Sequence, residues 1–159
     1  MEEKKQSSFF RFEDLRIYNK AIEYNKWVAK TLKSKDLSTV EERLVNEFCK
    51  ASVAIATSIA EGAYHNKKEF ELYLKDAKAN VRECIIFSTL AKELSIFQPS
   101  DEEYSRECLM EITRMLGALI VSLSRKTGKR DSNHTDSKPE SVEEETIATE
   151  DTYDFNLEF

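Results

Sequence analysis

Few groups in this chain could donate, accept or attack at spacings that make chemistry. The two histidines are His65 and His134. His65 follows Glu61 by four residues, which puts both side chains on one face if the segment is helical. A carboxylate-bridged di-metal bundle needs Glu-x-x-His on two helices, and the chain contains no such motif. His65 therefore reads as a polar turn residue. Cys49, Cys84 and Cys108 are odd in number and far apart. They lack the paired Cys/His spacing of a zinc site and sit in apolar helical patterns, where a free thiol acts as a small hydrophobe. Reduced cysteines of this kind imply a cytoplasmic setting. Gly62, Gly117 and Gly128 are the only glycines, too few and too scattered for a phosphate-cradling loop. No serine or cysteine has a base at a recognisable motif spacing. The expectation is a non-enzymatic protein with no cofactor and no metal.

The remaining chemistry is cationic. Lys68, Lys75, Lys78 and Arg82 recur at helical intervals, and Arg43 and Lys50 lie seven residues apart, so each set shares a face. In one subunit Glu71, Asp76 and Glu83 balance these residues, and the face reads as solvated. Repeated around a symmetric ring, the same six cations become candidate contacts for a phosphate backbone. Neither a base-reading motif nor an aromatic stacking platform is visible, so contact with RNA or single-stranded DNA would be independent of sequence.

The elements that position these groups are helices. Three Gly and two Pro in 159 residues disfavour a turn-rich β architecture. The first helix is expected over Phe12 to Lys33, with Leu15, Tyr18, Ile22, Val28 and Leu32 facing inward. Ser38 with Glu41, or Thr39 with Glu42, forms a capping box for the second. That helix ends near Gly62, which tolerates a left-handed terminal residue. Asn66 and Glu69 start a third helix, running to about Leu94 through Phe70, Leu74, Ala77, Val81 and Cys84. Gln98-Pro99-Ser100 breaks the pattern, and Ser100 with Glu103 restarts it for a fourth, whose stripe is Leu109, Ile112, Leu116, Leu119, Ile120 and Leu123. Four long helices with short connectors predict an all-α, up-down-up-down antiparallel four-helix bundle. No apolar run is long enough to cross a bilayer, and the N-terminal stretch has no apolar signal core.

Ala51 to Ala60 in the second helix carries no charge and no aromatic ring. A surface helix buries one stripe and solvates the rest, whereas this one is apolar or small all round. It should have neighbours on more than one face, which predicts a homo-oligomer. Ala54, Ala56, Ser58, Ile59, Glu61 and Gly62 are the candidate interface or structural residues. Glu61 sits in the last turn, where a carboxylate opposes the helix dipole and calls for a compensating contact.

Charge divides the chain. Residues 1–126 carry 21 Lys and Arg against 20 Asp and Glu, whereas residues 127–159 carry 3 against 10. The organisation expected is a flexible N-terminus at 1–11, a bundle at 12–126 and an acidic, disordered tail at 127–159. The tail ends with Tyr153, Phe155, Leu157 and Phe159 alternating with polar residues, a candidate motif for docking on a protein partner.

Three segments also resemble a known family. Phe12-Glu13-Asp14-Leu15 with Tyr18 and Lys20-Ala21 is similar to the opening F-E-D-L-x-x-[WY]-x-K-A of the bacterial 23S rRNA intervening-sequence proteins. Ala51 to Gly62 resembles their R-A-A-x-S-I-P-S-N-I-A-E-G segment, with Ala56 in place of the frequent proline and Ser58 in place of asparagine. Lys68-Glu69-Phe70, Tyr73-Leu74 and Ala77 resemble K-E-F-x-x-[FY]-L-x-x-A. The last helix matches in pattern, so the resemblance covers about Phe12 to Lys126. It implies a small bundle assembling as a cyclic homopentamer. It also implies relatives such as the accessory variability determinant of diversity-generating retroelements, which contacts nucleic acid and a reverse transcriptase. The expected function is a homo-oligomeric scaffold associated with nucleic acid, RNA first. The alternative is an adaptor that recruits a protein such as a reverse transcriptase through its surface or tail.

Overall fold

The computed structural model describes residues 9–33 and 35–128. A 3₁₀ turn at Arg11–Asp14 precedes four helices: α1 (Arg16–Lys33), α2 (Thr39–Gly62), α3 (Lys67–Glu93) and α4 (Pro99–Gly128). No strand occurs among the described residues. Helix α1 packs on α2 and α4, and α3 packs on the same two, forming a four-helix bundle. The acidic tail beyond Gly128, with Tyr153, Phe155, Leu157 and Phe159, lies outside the described residues.

Two of the predicted helix starts are where the caps put them. The Ser38 backbone N–H donates to the Glu41 carboxylate at 2.7 Å, and the Glu41 N–H turns back to the Ser38 hydroxyl, so Ser38 rather than Thr39 caps α2. Asn66 Oδ1 accepts from the N–H groups of Lys68 and Glu69, both at 3.1 Å, at the head of α3. The other two starts differ from expectation. Helix α1 begins at Arg16, not Phe12, because Leu15 is extended (ψ 120°). That bend lets the Phe12 ring pack edge-on against Tyr18 and Tyr64, while the Asn19 amide donates to the carbonyls of Glu13 and Leu15. Helix α4 begins at Pro99, whose missing N–H is no loss in a first turn. The Gln98 N–H is taken by Asp101 Oδ2 at 2.9 Å, so Asp101 replaces Glu103 as the acidic partner at this start.

The buried row of α1 is Ile17, Ala21, Tyr24, Val28 and Leu32. Ile22, expected inside, is 42% exposed, and Leu15 and Tyr18 are only partly buried. Tyr24 takes the inner place because its hydroxyl finds a partner: it bonds Ser105 Oγ at 2.8 Å, and Ser105 bonds Ser88. This three-hydroxyl chain links α1, α3 and α4 inside the core, where an unpaired hydroxyl would be costly. Burial holds the Tyr24 phenol well above its ordinary range. In α4 the fully buried apolar residues are Leu109, Ile112 and Leu116, while Leu119, Ile120 and Leu123 pack partly buried at its far end. The α3–α4 connector adds Ile96 and Phe97 to the core, with Phe97 edge-on to both Trp27 and Phe48. Ser95 turns the chain there with φ 58°.

Gly62 has a different role from the one its position suggested. No described glycine has a positive φ; Gly62 is the last residue of α2 and is buried against α3. A β-carbon there would lie 2.6 Å from Phe70 Cδ2 and 2.7 Å from Tyr73 Cβ. Glycine is required because the α3 side chains press on the α2 backbone. Gly62→Ala should therefore cost about 1–3 kcal/mol through overpacking. Gly117→Ala, where an added β-carbon meets nothing within 4 Å, should gain up to about 1 kcal/mol. Urea unfolding of the two variants checks the opposite signs.

Candidate interaction surface on α2

Helix α2 has one packed side and one bare side. Ala51, Ser52, Ile55, Ala56, Ile59 and Gly62 are buried within the bundle. Of the six residues singled out on this helix, Ala56, Ile59 and Gly62 thus belong to the core of a single chain. Ala54 and Ser58 are half-buried on the outer side, and Glu61 is exposed. Ser58 also accepts a long hydrogen bond from Asn80 of α3 at 3.4 Å.

The bare side is apolar. Cys49, Val53, Ala54, Thr57 and Ser58, with Lys50 at the edge, line a shallow hollow, and Val53 and Thr57 continue into a furrow between α1 and α2. Phe12, Tyr18, Ile22, Ala56, Ala60, Glu61 and Tyr64 line that furrow, whose volume is about 470 Å³. Val53 is 52% exposed and Tyr64 62%. Asn25 also borders it, and its Oδ1 is buried without a hydrogen-bond partner. That acceptor lies beside uncovered aromatic and aliphatic side chains. The uncharged run of α2 made this side legible in the sequence. The furrow and Asn25 were not, because they arise from the Leu15 bend and the way α1 lies on α2.

Glu61 lies beside His65 at the junction of α2 and α3. Its Oε1 lies 3.7 Å from His65 Nε2, and His65 Nδ1 lies 3.2 Å from Glu69 Oε2. The imidazole stacks on Tyr73 with ring centroids 5.0 Å apart. His65 thus bridges the C-terminal end of α2 to the first turn of α3, a joint between helices. No three His, Cys, Asp or Glu side chains among the described residues are grouped to hold a metal ion.

The six basic candidates do not form one ridge. Lys50 pairs with Glu47 at 2.8 Å and Lys75 with Glu71 at 2.9 Å. Lys68, Arg82 and Arg43 are exposed and Lys78 is half-buried. Acidic residues stand beside the cations on α3, at Glu69, Asp76 and Glu83, so the local field is mixed in sign. The cysteines are poor nucleophiles: burial pushes the Cys84 thiol up to about 12, and desolvation raises Cys49 and Cys108 as well. A thiol needs a depressed value to react as thiolate.

One polar cluster escaped the sequence reading. Glu102 is 8% exposed and receives Arg106 Nε at 2.8 Å and Lys92 Nζ at 3.0 Å, while Arg106 also donates to Thr89 at 2.7 Å. It ties the start of α4 to the end of α3, and only the i,i+4 spacing of Glu102 and Arg106 could have hinted at it.

These helices are the part of the chain that a known family shares. The model of the family described as 23S rRNA-intervening sequence protein matches residues 13–118. The chain belongs to this family. The match takes in α1, α2 and α3 whole and α4 as far as Ala118, so the α2 surface and the basic row on α3 both lie within it. A comparison with curated proteins finds no match. None of the described helices is long and apolar enough to cross a membrane.

The Glu102 cluster has a pH signature. Arg106 first, then Lys92, holds the Glu102 carboxyl below its ordinary range. A carboxyl whose folded pKa is depressed stabilises the fold above its unfolded value, about 4.3, and loses that contribution as pH falls through the folded value. Glu102→Gln should therefore be less stable than the unmodified protein at pH 7. The gap should narrow as acid protonates the wild-type carboxyl, which urea midpoints between pH 7 and pH 3 will follow.

Proposed function

We propose that the chain is a non-enzymatic, homo-oligomeric helical scaffold that associates with nucleic acid, RNA first. The observation that carries the assembly is the bare apolar side of α2, continuous with the α1–α2 furrow and its orphaned Asn25 oxygen. A charged or aromatic partner surface fits poorly against Ala54, Thr57 and Ser58, whereas a second copy brings small residues to small residues. A closed ring of five is the stoichiometry that the family resemblance suggests. Within each subunit we read the helices as up-down-up-down and antiparallel. Ser88 with Ser105 and Glu71 with Ser124 support that reading for α3 and α4, Ser58 with Asn80 and Gly62 against Phe70 for α2 and α3, and Tyr24 with Ser105 and Lys20 with Glu111 for α1 and α4, because residue numbers rise on one helix as they fall on the other.

The family description points to RNA, and the basic side chains supply the chemistry. Lys68, Arg82 and Arg43 stand exposed and can meet phosphates, but neighbouring carboxylates keep the field weak. Binding is then weak, indifferent to sequence and sensitive to salt. The acidic tail competes for the same cations. A chain ending at Gly128 should bind a random-sequence RNA more tightly than the full chain, with a steeper loss on raising salt. Fluorescence anisotropy at two salt concentrations makes the comparison. If neither form binds at low salt, nucleic-acid association fails and the adaptor reading, with the tail engaging a protein, replaces it.

A further inference from the structure

Helix α3 carries an ordered outer face that neither the bundle nor the α2 surface uses. Leu72, Ala79 and Ile86 recur every seven residues, on the side opposite the buried Leu74 and Val81. Leu72 is 57% exposed and Ile86 58%. Lys68, Lys75 and Arg82 repeat at the same interval along one flank. This flank faces α4: Lys75 bonds Glu71, which in turn receives the Ser124 hydroxyl. Glu69, Asp76 and Glu83 repeat along the opposite flank, where Glu69 and Asp76 border a hollow with His65 and Tyr73 of the α2 side. Three rows in one register, basic, apolar and acidic, place opposite charges on either side of one apolar row, a face complementary in charge to a second copy of itself.

The geometry points to a second copy of this chain as the occupant, docked α3 against α3 with the two helices parallel and in register. The charge rows decide both partner and direction. A two-fold axis running along the helices sets the basic flank of each copy against the acidic flank of the other. Lys68 then lies level with the partner's Glu69, Lys75 with the partner's Asp76, and Arg82 with the partner's Glu83, each offset by one residue, about 1.5 Å. An antiparallel pair would set lysine against lysine and acid against acid, which is repulsive. Within the subunit Lys75 and Glu69 have partners in Glu71 and His65; Lys68, Arg82, Asp76 and Glu83 make no ion pair among the described residues and are ready for an intermolecular one. The central row supplies Leu72 and Ile86 as apolar anchors, and the half-buried Ala79 between them permits close approach.

This pairing is independent of the α2 surface, and it draws on three of the cations offered above to nucleic acid. Its test is therefore made on full-length protein without nucleic acid. Leu72→Cys and Ile86→Cys are prepared separately and oxidised with glutathione disulfide at micromolar concentration. Each variant alone should form a disulfide-linked species of twice the 18.4 kDa chain mass. The unmodified chain, whose cysteines are buried or half-buried, should not. Adding Lys75→Glu and Arg82→Glu to Leu72→Cys should abolish the link, and further adding Asp76→Lys and Glu83→Lys should restore it, with circular dichroism showing all variants folded. Linkage only in a mixture of the two cysteine variants would overturn the parallel arrangement. No linkage, or no rescue by the second pair of charge reversals, would overturn the pairing, and neither result bears on assembly through α2.

Discussion

The close approach of α2 to α3 governs this structure. Phe70 and Tyr73 lie so near the α2 backbone that only a glycine fits at position 62. Farther along α2, Ala51, Ser52 and Ala56 are small among the buried residues, beside Phe48, Ile55 and Ile59. Small residues on one side of a helix let a neighbour in. On the other side, Ala54, Thr57 and Ser58 stand beside the exposed Val53, with Lys50 and Glu61 as the charged residues at its edges. The small, uncharged residues of α2 thus fall on two sides, one packed within the bundle and one on the outer surface.

Much of the fold could be read from residue order, because the decisive signals are local. Ser38 with Glu41 and Asn66 with Glu69 are caps that act within one turn. The heptad-like row of α3, through Leu74, Ala77, Val81 and Cys84, is the row that is buried. The misreadings came from contacts between residues far apart in sequence. The Leu15 bend depends on Phe12 reaching Tyr64. Tyr24 displaces Ile22 from the core because Ser105, 81 residues away, satisfies its hydroxyl. Gly62 reads in sequence as a left-handed cap, since sequence shows a glycine at a helix end but not the two rings pressed against it. For the surface, the bare side of α2 was legible and the Glu102 cluster was not, since Lys92 and Thr89 come from the preceding helix.

Family membership and charge layout bear on function in different ways. The 23S rRNA-intervening sequence protein match covers the bundle and leaves the acidic tail outside it. The bundle is therefore the shared device, and in the proposed reading the tail tunes it. Carboxylates beside the cations on α3 make a strong, lone-subunit grip on phosphate a poor expectation. In the proposed scaffold, affinity for phosphate would come from repetition around the assembly.

The account depends most on the bare side of α2 being covered by another copy. Multi-angle light scattering of the unmodified protein and of Ala54→Glu at micromolar concentration tests this directly. The unmodified protein should show a mass several times 18.4 kDa, and the folded variant should fall to the mass of one chain or to smaller species, because a carboxylate in an apolar interface costs several kcal/mol. An unmodified protein that runs at the mass of a single chain, or an assembly unchanged by Ala54→Glu, would contradict the account.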